Sequence, residues 1–160
     1  MKKIHEYFIA ERNESISFLI LAAAGIFFGF YLMILKSEFY NGLVLPLLFI
    51  AIFQLINGVN KFFKTKNLEK KVMSFLKSSK KSIRNIEIPR IKKLSGIFKY
   101  YRYIEAFLMV LALFLYVFSQ SDFWKGIALG VIIECGTLYV INYFTEYRTI
   151  QYLKFLKKNY

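Results

Sequence analysis

Four long apolar runs, at residues 16–35, 43–59, 104–118 and 126–144, constrain the fold of this chain more than any other feature. A helix of about twenty residues is roughly 30 Å long, which matches the hydrocarbon thickness of a bilayer. A soluble domain of 160 residues has too little interior to bury four such runs. We therefore predict an all-α integral membrane protein, with four transmembrane helices in a single domain over residues 1–160.

Basic residues divide the four runs into two pairs. The segment 60–103 between the pairs holds fourteen Lys and Arg against only Glu69 and Glu87, whereas the turn inside each pair, 36–42 or 120–125, holds one Lys. Because short loops rich in Lys and Arg stay in the cytoplasm, both termini and the segment 60–103 are predicted to be cytoplasmic. The predicted topology is thus two helical hairpins with the N-terminus and the C-terminus inside.

The segment 60–103 is typical of two amphipathic helices. The first has an apolar stripe, and the second starts at Pro89 with its own stripe: Leu68, Val72, Phe75 or Leu76, Ser79 and Ile83, then Ile91, Leu94, Phe98 and Tyr101. Such helices lie in the membrane interface with their lysines on anionic headgroups, here predicted to be Lys70, Lys71, Lys77, Lys80 and Lys81. The alternative is that they pack beneath the bundle. We predict one more short interfacial helix over residues 1–15.

The net charge of +13 does not by itself indicate nucleic acid. Nucleic-acid binding needs a basic soluble surface, and here the charge is confined to loops and ends between apolar runs, so no nucleic-acid partner is predicted. His5 is the only histidine and Cys135 the only cysteine, and they are far apart in the chain. Without a Cys–His pair, a pair of histidines at metal spacing or a glycine-rich phosphate loop, we predict no enzyme, no cofactor and no metal site.

A short motif occurs twice, 84 residues apart. Residues 36–43 (KSEFYNGL) match residues 120–127 (QSDFWKGI) in the order hydroxyl, acid, Phe, second aromatic and Gly, each time before an apolar run. We interpret this as two copies of one hairpin, related by an axis along the membrane normal. In each copy the acid would cap the incoming helix, the aromatics would lie at headgroup level and Gly would close the turn.

Polar residues within the runs are few, namely Glu134, Gln54, Asn57 and Asn142. An ionised carboxylate at mid-bilayer is costly, so Glu134 is predicted to face the bundle. There it would be either a carrier of protons or cations, or a neutral acid hydrogen-bonded to Tyr139 or to a polar group of the second run.

A second polar group lies where the runs begin or end on the cytoplasmic side. Its members are three arginines and three glutamates: Arg12, Glu14, Arg102, Glu105, Glu146 and Arg148. In an up-and-down bundle they would meet at one level. They are predicted either to form ion pairs that hold the bundle together or to form a docking surface for a partner.

Several short motifs carry a family resemblance. They are Gly42 through Pro46 with Gln54 and Gly58, then Glu87-Ile88-Pro89-Arg90, Tyr101-Arg102-Tyr103-Ile104-Glu105, Phe123-Trp124-Lys125-Gly126 and Asn142 through Arg148. With these residues the chain from Glu38 onward resembles a family of small bacterial four-span membrane proteins without an assigned activity. The chain departs from that family at Glu134, where Gln is usual, and at Asn142, where Asp is usual. The resemblance implies the fold and a bacterial inner-membrane location, and it implies no active site.

We therefore expect a non-enzymatic inner-membrane protein that binds another protein. In size and topology the chain is similar to the immunity proteins of pore-forming colicins, which suggests an immunity protein against a membrane-acting toxin. One alternative is a small proton- or cation-coupled transporter or channel that uses Glu134. Another is a membrane scaffold that binds anionic lipid, and a homo-oligomer is compatible with each of these.

Overall fold

The computed structural model describes residues 2–78 and 80–159, and it describes side chains at all of these except residues 2, 76–78 and 80. The described part contains four long helices: α1 (Lys2–Ile34), α2 (Glu38–Ser78), α4 (Ile88–Phe118) and α5 (Asp122–Asn159). A single helical turn, α3 (Lys80–Ser82), and a π-helical turn (Ile83–Glu87) join α2 to α4. All four long helices are long and apolar enough to cross a membrane, which confirms the prediction of an all-α fold with four such helices.

The helices are much longer than the predicted spans. Helix α2 has 41 residues, or about 60 Å, twice the hydrocarbon thickness. The N-terminal helix and the amphipathic helices of the prediction are not separate elements, because they continue α1, α2 and α4. The sequence permits this, since no Gly or Pro follows Gly58 in α2. Pro89 stands in the first turn of α4, where it costs no intrahelical hydrogen bond.

Helices α2 and α5 form the centre of the bundle. Helix α1 packs along α2, α2 along α5, and α5 along α4, while α1 and α4 do not pack on each other in the described chain. The apolar windows of α2 and α5 are accordingly more buried than those of α1 and α4. Large apolar side chains remain exposed on the outer faces, for example Phe27, Phe49 and Phe118. A surface of this kind suits acyl chains and would be unfavourable in water.

The first turns of α2 and α5 cross with their backbones in direct contact. A Cβ atom at Gly42 would overlap the carbonyl oxygen of Phe123, and a Cβ atom at Gly126 would overlap the carbonyl oxygen of Phe39. Glycine is required at both positions because no other residue leaves room for the opposing main chain. The two hairpin turns therefore lie side by side at this end of the molecule.

At the opposite end the four helices form a second packed region, which we call the head (residues 2–14, 61–78, 80–103 and 145–159). Its core contains side chains from every long helix: Ile4, Phe8, Val72, Ile83, Ile91, Tyr152 and Leu156. Leu68, Phe75 and Leu94 of the predicted stripes pack against this core. The stripes thus face protein, as in the alternative of packing beneath the bundle. Tyr101 is exposed, and Ser79 and the side chain of Leu76 lie outside the described residues.

Candidate functional site

A layer of ion pairs lies at the base of the head. The buried Glu14 carboxylate accepts hydrogen bonds from Lys61 Nζ at 2.5 Å and from Arg148, so it joins α1 to α2 and α5. Arg148 also donates to the carbonyl oxygen of Ala10 at 3.0 Å. Arg102 pairs with Glu146 at 2.5 Å and joins α4 to α5. These contacts tie all four helices together at one level.

Of the six charged residues predicted to meet here, four form ion pairs within the layer: Glu14, Arg148, Arg102 and Glu146. Glu105 instead accepts a hydrogen bond from Asn142 Nδ2 at 2.5 Å. Arg12 is exposed and belongs to none of the ion pairs found in the described chain. The sequence analysis missed Lys61, because nothing in the local sequence links it to a glutamate 47 residues away.

Glu134 is held between the two central helices. Gln54 Nε2 of α2 donates to Glu134 Oε2 at 3.1 Å, and the two residues are only 3% and 8% exposed, respectively. The prediction gave either Tyr139 or a polar group of the second run as the partner of Glu134. The partner in the structure is Gln54, which belongs to the second run. Asn57 is exposed and donates to the carbonyl oxygen of Phe53 in its own helix at 2.9 Å. Through Glu134 and Asn142, α5 is linked by carboxyl–carboxamide pairs to both α2 and α4.

A further buried carboxylate, which the sequence analysis did not predict as part of a site, lies inside the head. Glu87 is 1% exposed and makes two hydrogen bonds with the Arg90 guanidinium, at 2.7 and 2.8 Å. The Tyr152 hydroxyl donates to Glu87 at 3.4 Å, and the Tyr7 ring stacks on the Tyr152 ring at 4.1 Å. A buried carboxylate is tolerated only with such partners, so this network fixes the shape of the head.

The lysines predicted to bind headgroups belong to the head. Lys70 and Lys71 are exposed on α2, and Lys81 is exposed on α3. The side chains of Lys77 and Lys80 lie outside the described residues. The three described lysines project from the part of α2 and α3 that continues beyond the apolar run.

An open groove separates α1 from α5. These helices meet at the Glu14–Arg148 pair and diverge from there, leaving a space of about 750 Å³. Three residues of α1 and six of α5 line it: Ser17, Ile20, Leu21, Ile132, Ile133, Gly136, Thr137, Val140 and Ile141. A Cβ at Gly136 would be in ordinary van der Waals contact with Met109 Sδ of α4, at 3.9 Å. No pattern in the sequence indicated this groove, because it depends on how the two helices diverge.

Within the described residues, no group of three His, Cys, Asp or Glu side chains is arranged to hold a metal ion. The fold defines an all-helical protein with four helices able to cross a membrane. No protein-family model matches the chain, and no curated protein or solved structure matches it either. The resemblance to small bacterial four-span proteins therefore stays a prediction.

Proposed function

We propose that this chain is a non-enzymatic protein of the bacterial inner membrane that binds a second membrane-inserted protein, with the groove between α1 and α5 as the binding site. The groove carries this proposal. It is an open space of about 750 Å³, and its α5 lining, residues 132–141, extends over about three helical turns.

Aromatic residues support a placement of the groove within the bilayer. Tyr40 and Trp124 stand at one end of the bundle, and Phe63, Tyr103 and Tyr147 stand near the other. Along α5, Trp124 and Tyr147 are 23 residues apart, or about 35 Å, as expected for two aromatic belts. The α5 residues of the groove, 132–141, lie between these belts. A partner there must be apolar.

Small side chains favour a helix over lipid as the occupant. Ser17, Gly136 and Thr137 let the backbone of a neighbouring helix approach closely, as small residues do at helix contacts in membranes. An acyl chain has no need of such residues. The sharpest form of the proposal is an immunity protein that captures a helix of a membrane-acting toxin.

The proposal includes an orientation. Twenty-one of the 23 Lys and Arg belong to the two termini and the segment 60–103, so the positive-inside rule supports a cytoplasmic head.

The proposal also includes two repeated hairpins. The reciprocal contacts of Gly42 and Gly126, residues 84 apart, support a two-fold relation between them.

Transport through Glu134 is the main rival. A carrier must expose its carboxyl to a path across the membrane, whereas Glu134 is buried between α2 and α5 and bound to Gln54. This arrangement supports a packing role for the carboxyl and makes binding the better proposal.

The test co-expresses this chain with each membrane-inserted protein encoded next to its gene, and it measures protection of the cells from any of these proteins that is toxic. The groove-filling substitution Ile133→Trp, at an exposed position of the groove lining, is expected to abolish protection at unchanged membrane abundance. Phe114→Leu, on an exposed face of α4 away from the groove, is the matched control and is expected to protect fully. A photoreactive side chain at Ile20 or Val140 should cross-link to the toxin, and one at Phe114 should not. Full protection by the Ile133→Trp variant would contradict the proposed site.

A further inference from the structure

The surface of the head is almost purely cationic because its acids turn inward. The head contains 21 of the 23 Lys and Arg but only six of the ten acidic residues. Glu14, Glu87 and Glu146 are buried, and Glu69 pairs with His5 at 2.6 Å. Among the acids of the described head, only Glu6 is largely exposed to solvent. The positive charge is therefore presented outward with little local compensation.

The exposed cations of the head lie on several helices. They include Lys70 and Lys71 on α2, Lys92 and Lys93 on α4, and Lys154 and Lys157 on α5. Helix α2 continues 15 residues, or about 22 Å, beyond Phe63. Charges are screened over about 8 Å at physiological salt, so headgroups at the level of Phe63 do not neutralise the far half of the head.

The head also has a packed interior. A signal for membrane topology needs only lysines in a loop. The head has more than this, namely a packed core and a buried Glu87–Arg90 pair. The core holds the lysines on three helices at set positions. The packed head thus presents a basic surface outside the apolar region. The sequence analysis had predicted no nucleic-acid partner because it found no surface of this kind.

The choice between Lys and Arg favours one kind of partner. Arg90, Arg102 and Arg148 are engaged inside the molecule, so the exposed cations are mostly lysines. Lys is depleted at protein–protein interfaces, where Arg is enriched. As a compact point charge it suits phosphate contacts that carry no sequence information.

We propose that the head binds the phosphate backbone of nucleic acid, without sequence specificity, at the cytoplasmic face of the membrane. The location rests on the proposed orientation, which reporter fusions test separately. The binding itself rests on the charge and shape of the head and is independent of the groove. Its function would be to hold nucleic acid close to the membrane surface.

The experiment uses the full chain in nanodiscs of zwitterionic lipid, so that the bilayer contributes no net charge. Binding of a fluorescent 25-base-pair DNA duplex of random sequence is followed by anisotropy as NaCl is raised. The expected Kd is about 10⁻⁶–10⁻⁴ M near 0.15 M salt, and log K should fall linearly with log salt. Each phosphate contact contributes about 0.9 to the slope.

Two double variants, each removing two positive charges, provide the comparison. Lys70→Gln with Lys92→Gln is expected to lower the slope by about 1.8, because two phosphate contacts are lost. Lys36→Gln with Lys125→Gln removes two charges at the opposite end of the molecule and is expected to leave the slope unchanged. Equal circular dichroism spectra would show that both variants are folded.

Three outcomes would overturn the proposal. They are no binding of DNA at 0.15 M salt, equal loss of slope in both double variants, and binding of poly-glutamate as tight as that of DNA. The last result would assign the head to acidic proteins. If no DNA binds but the head binds vesicles that contain anionic lipid, the first of these outcomes assigns the head to lipid headgroups.

Discussion

Each buried acid in the centre of this molecule has a defined partner from another helix. Glu14 binds Lys61 and Arg148, Glu134 binds Gln54, and Glu105 binds Asn142. A buried carboxylate without a partner would be costly, so these pairs determine which helix faces are compatible with each other. At the scale of single residues, we therefore expect large effects where a partner is removed and small effects where the hydrogen bond can be kept.

We expect Glu134→Gln to be tolerated. A carboxamide oxygen can accept the same hydrogen bond from Gln54, and only the titratable proton is lost. The variant should reach normal membrane abundance and keep in full the protective activity that we propose. Gln54→Leu is the comparison, because it leaves the Glu134 carboxyl buried without a donor and should cost about 1–3 kcal/mol of unfolding free energy. Loss of activity in the Glu134→Gln variant at normal abundance would instead favour proton or cation transport.

Glu14→Gln tests the layer of ion pairs. The substitution removes the negative charge that Lys61 and Arg148 share, and we expect it to lower the free energy of unfolding by about 1–3 kcal/mol. Arg12→Gln, at an exposed position on the same helix, should change it by less than about 0.5 kcal/mol. Thermal unfolding in detergent would measure both values. Equal stabilities of the two variants would show that the layer contributes nothing.

At the scale of helices, the crossing of α2 and α5 depends on glycines that leave room for the opposing main chain. Gly42 and Gly126 bring the first turns of these helices into backbone contact, and the Gln54–Glu134 pair joins them further along. The crossing also places the turns at residues 35–37 and 119–121 next to each other. Its geometry cannot adjust easily, because the atoms in contact belong to the main chain.

Gly126→Ala should therefore disrupt the bundle. The new methyl group would overlap the carbonyl oxygen of Phe39, and α2 and α5 would have to separate along their first turns. Gly96→Ala is the matched control in α4, since no atom lies within 4 Å of its Cβ position. Alanine there should stabilise the helix by up to about 1 kcal/mol. Membrane abundance and resistance to thermal aggregation should fall for the first variant only.

At the scale of the whole molecule, two packed regions share the same four long helices. One has an apolar exterior with Phe27, Phe49 and Phe118 on its surface, and the other is the lysine-covered head. This division predicts that the membrane ends near the Glu14–Arg148 layer, because the exposed surface is apolar on one side of this layer and rich in lysine on the other. It also predicts that the ends of α1 and α5 in the head lie on one side of the membrane.

Reporter fusions test this arrangement. A reporter attached after the last residue, Tyr160, should be active only in a form that functions in the cytoplasm. A reporter inserted at residue 37 or 120, in the two short turns, should be active only in a form that functions outside it. The physical reason is the cost of moving the many lysines of the head across the bilayer. The opposite pattern at both sites would exclude the proposed orientation.

The number and type of the helices could be predicted from the sequence because hydropathy is a local property. Residues 16–35 and 126–144 are apolar whatever they contact, so their membrane character needed no knowledge of neighbours. The clustering of Lys and Arg in residues 60–103 likewise predicted the orientation from local composition alone. That orientation stays a prediction until the reporters are measured.

Only the tertiary structure decided which surfaces meet. An apolar stripe such as the one through Leu68 and Val72 suits acyl chains and a protein core equally well, and packing in the head selected the core. Glu14 and Lys61 carry no local sign of pairing, because the contact is made by two different helices that fold side by side. The same holds for the α1–α5 groove, which exists because the two helices meet at one level and then diverge.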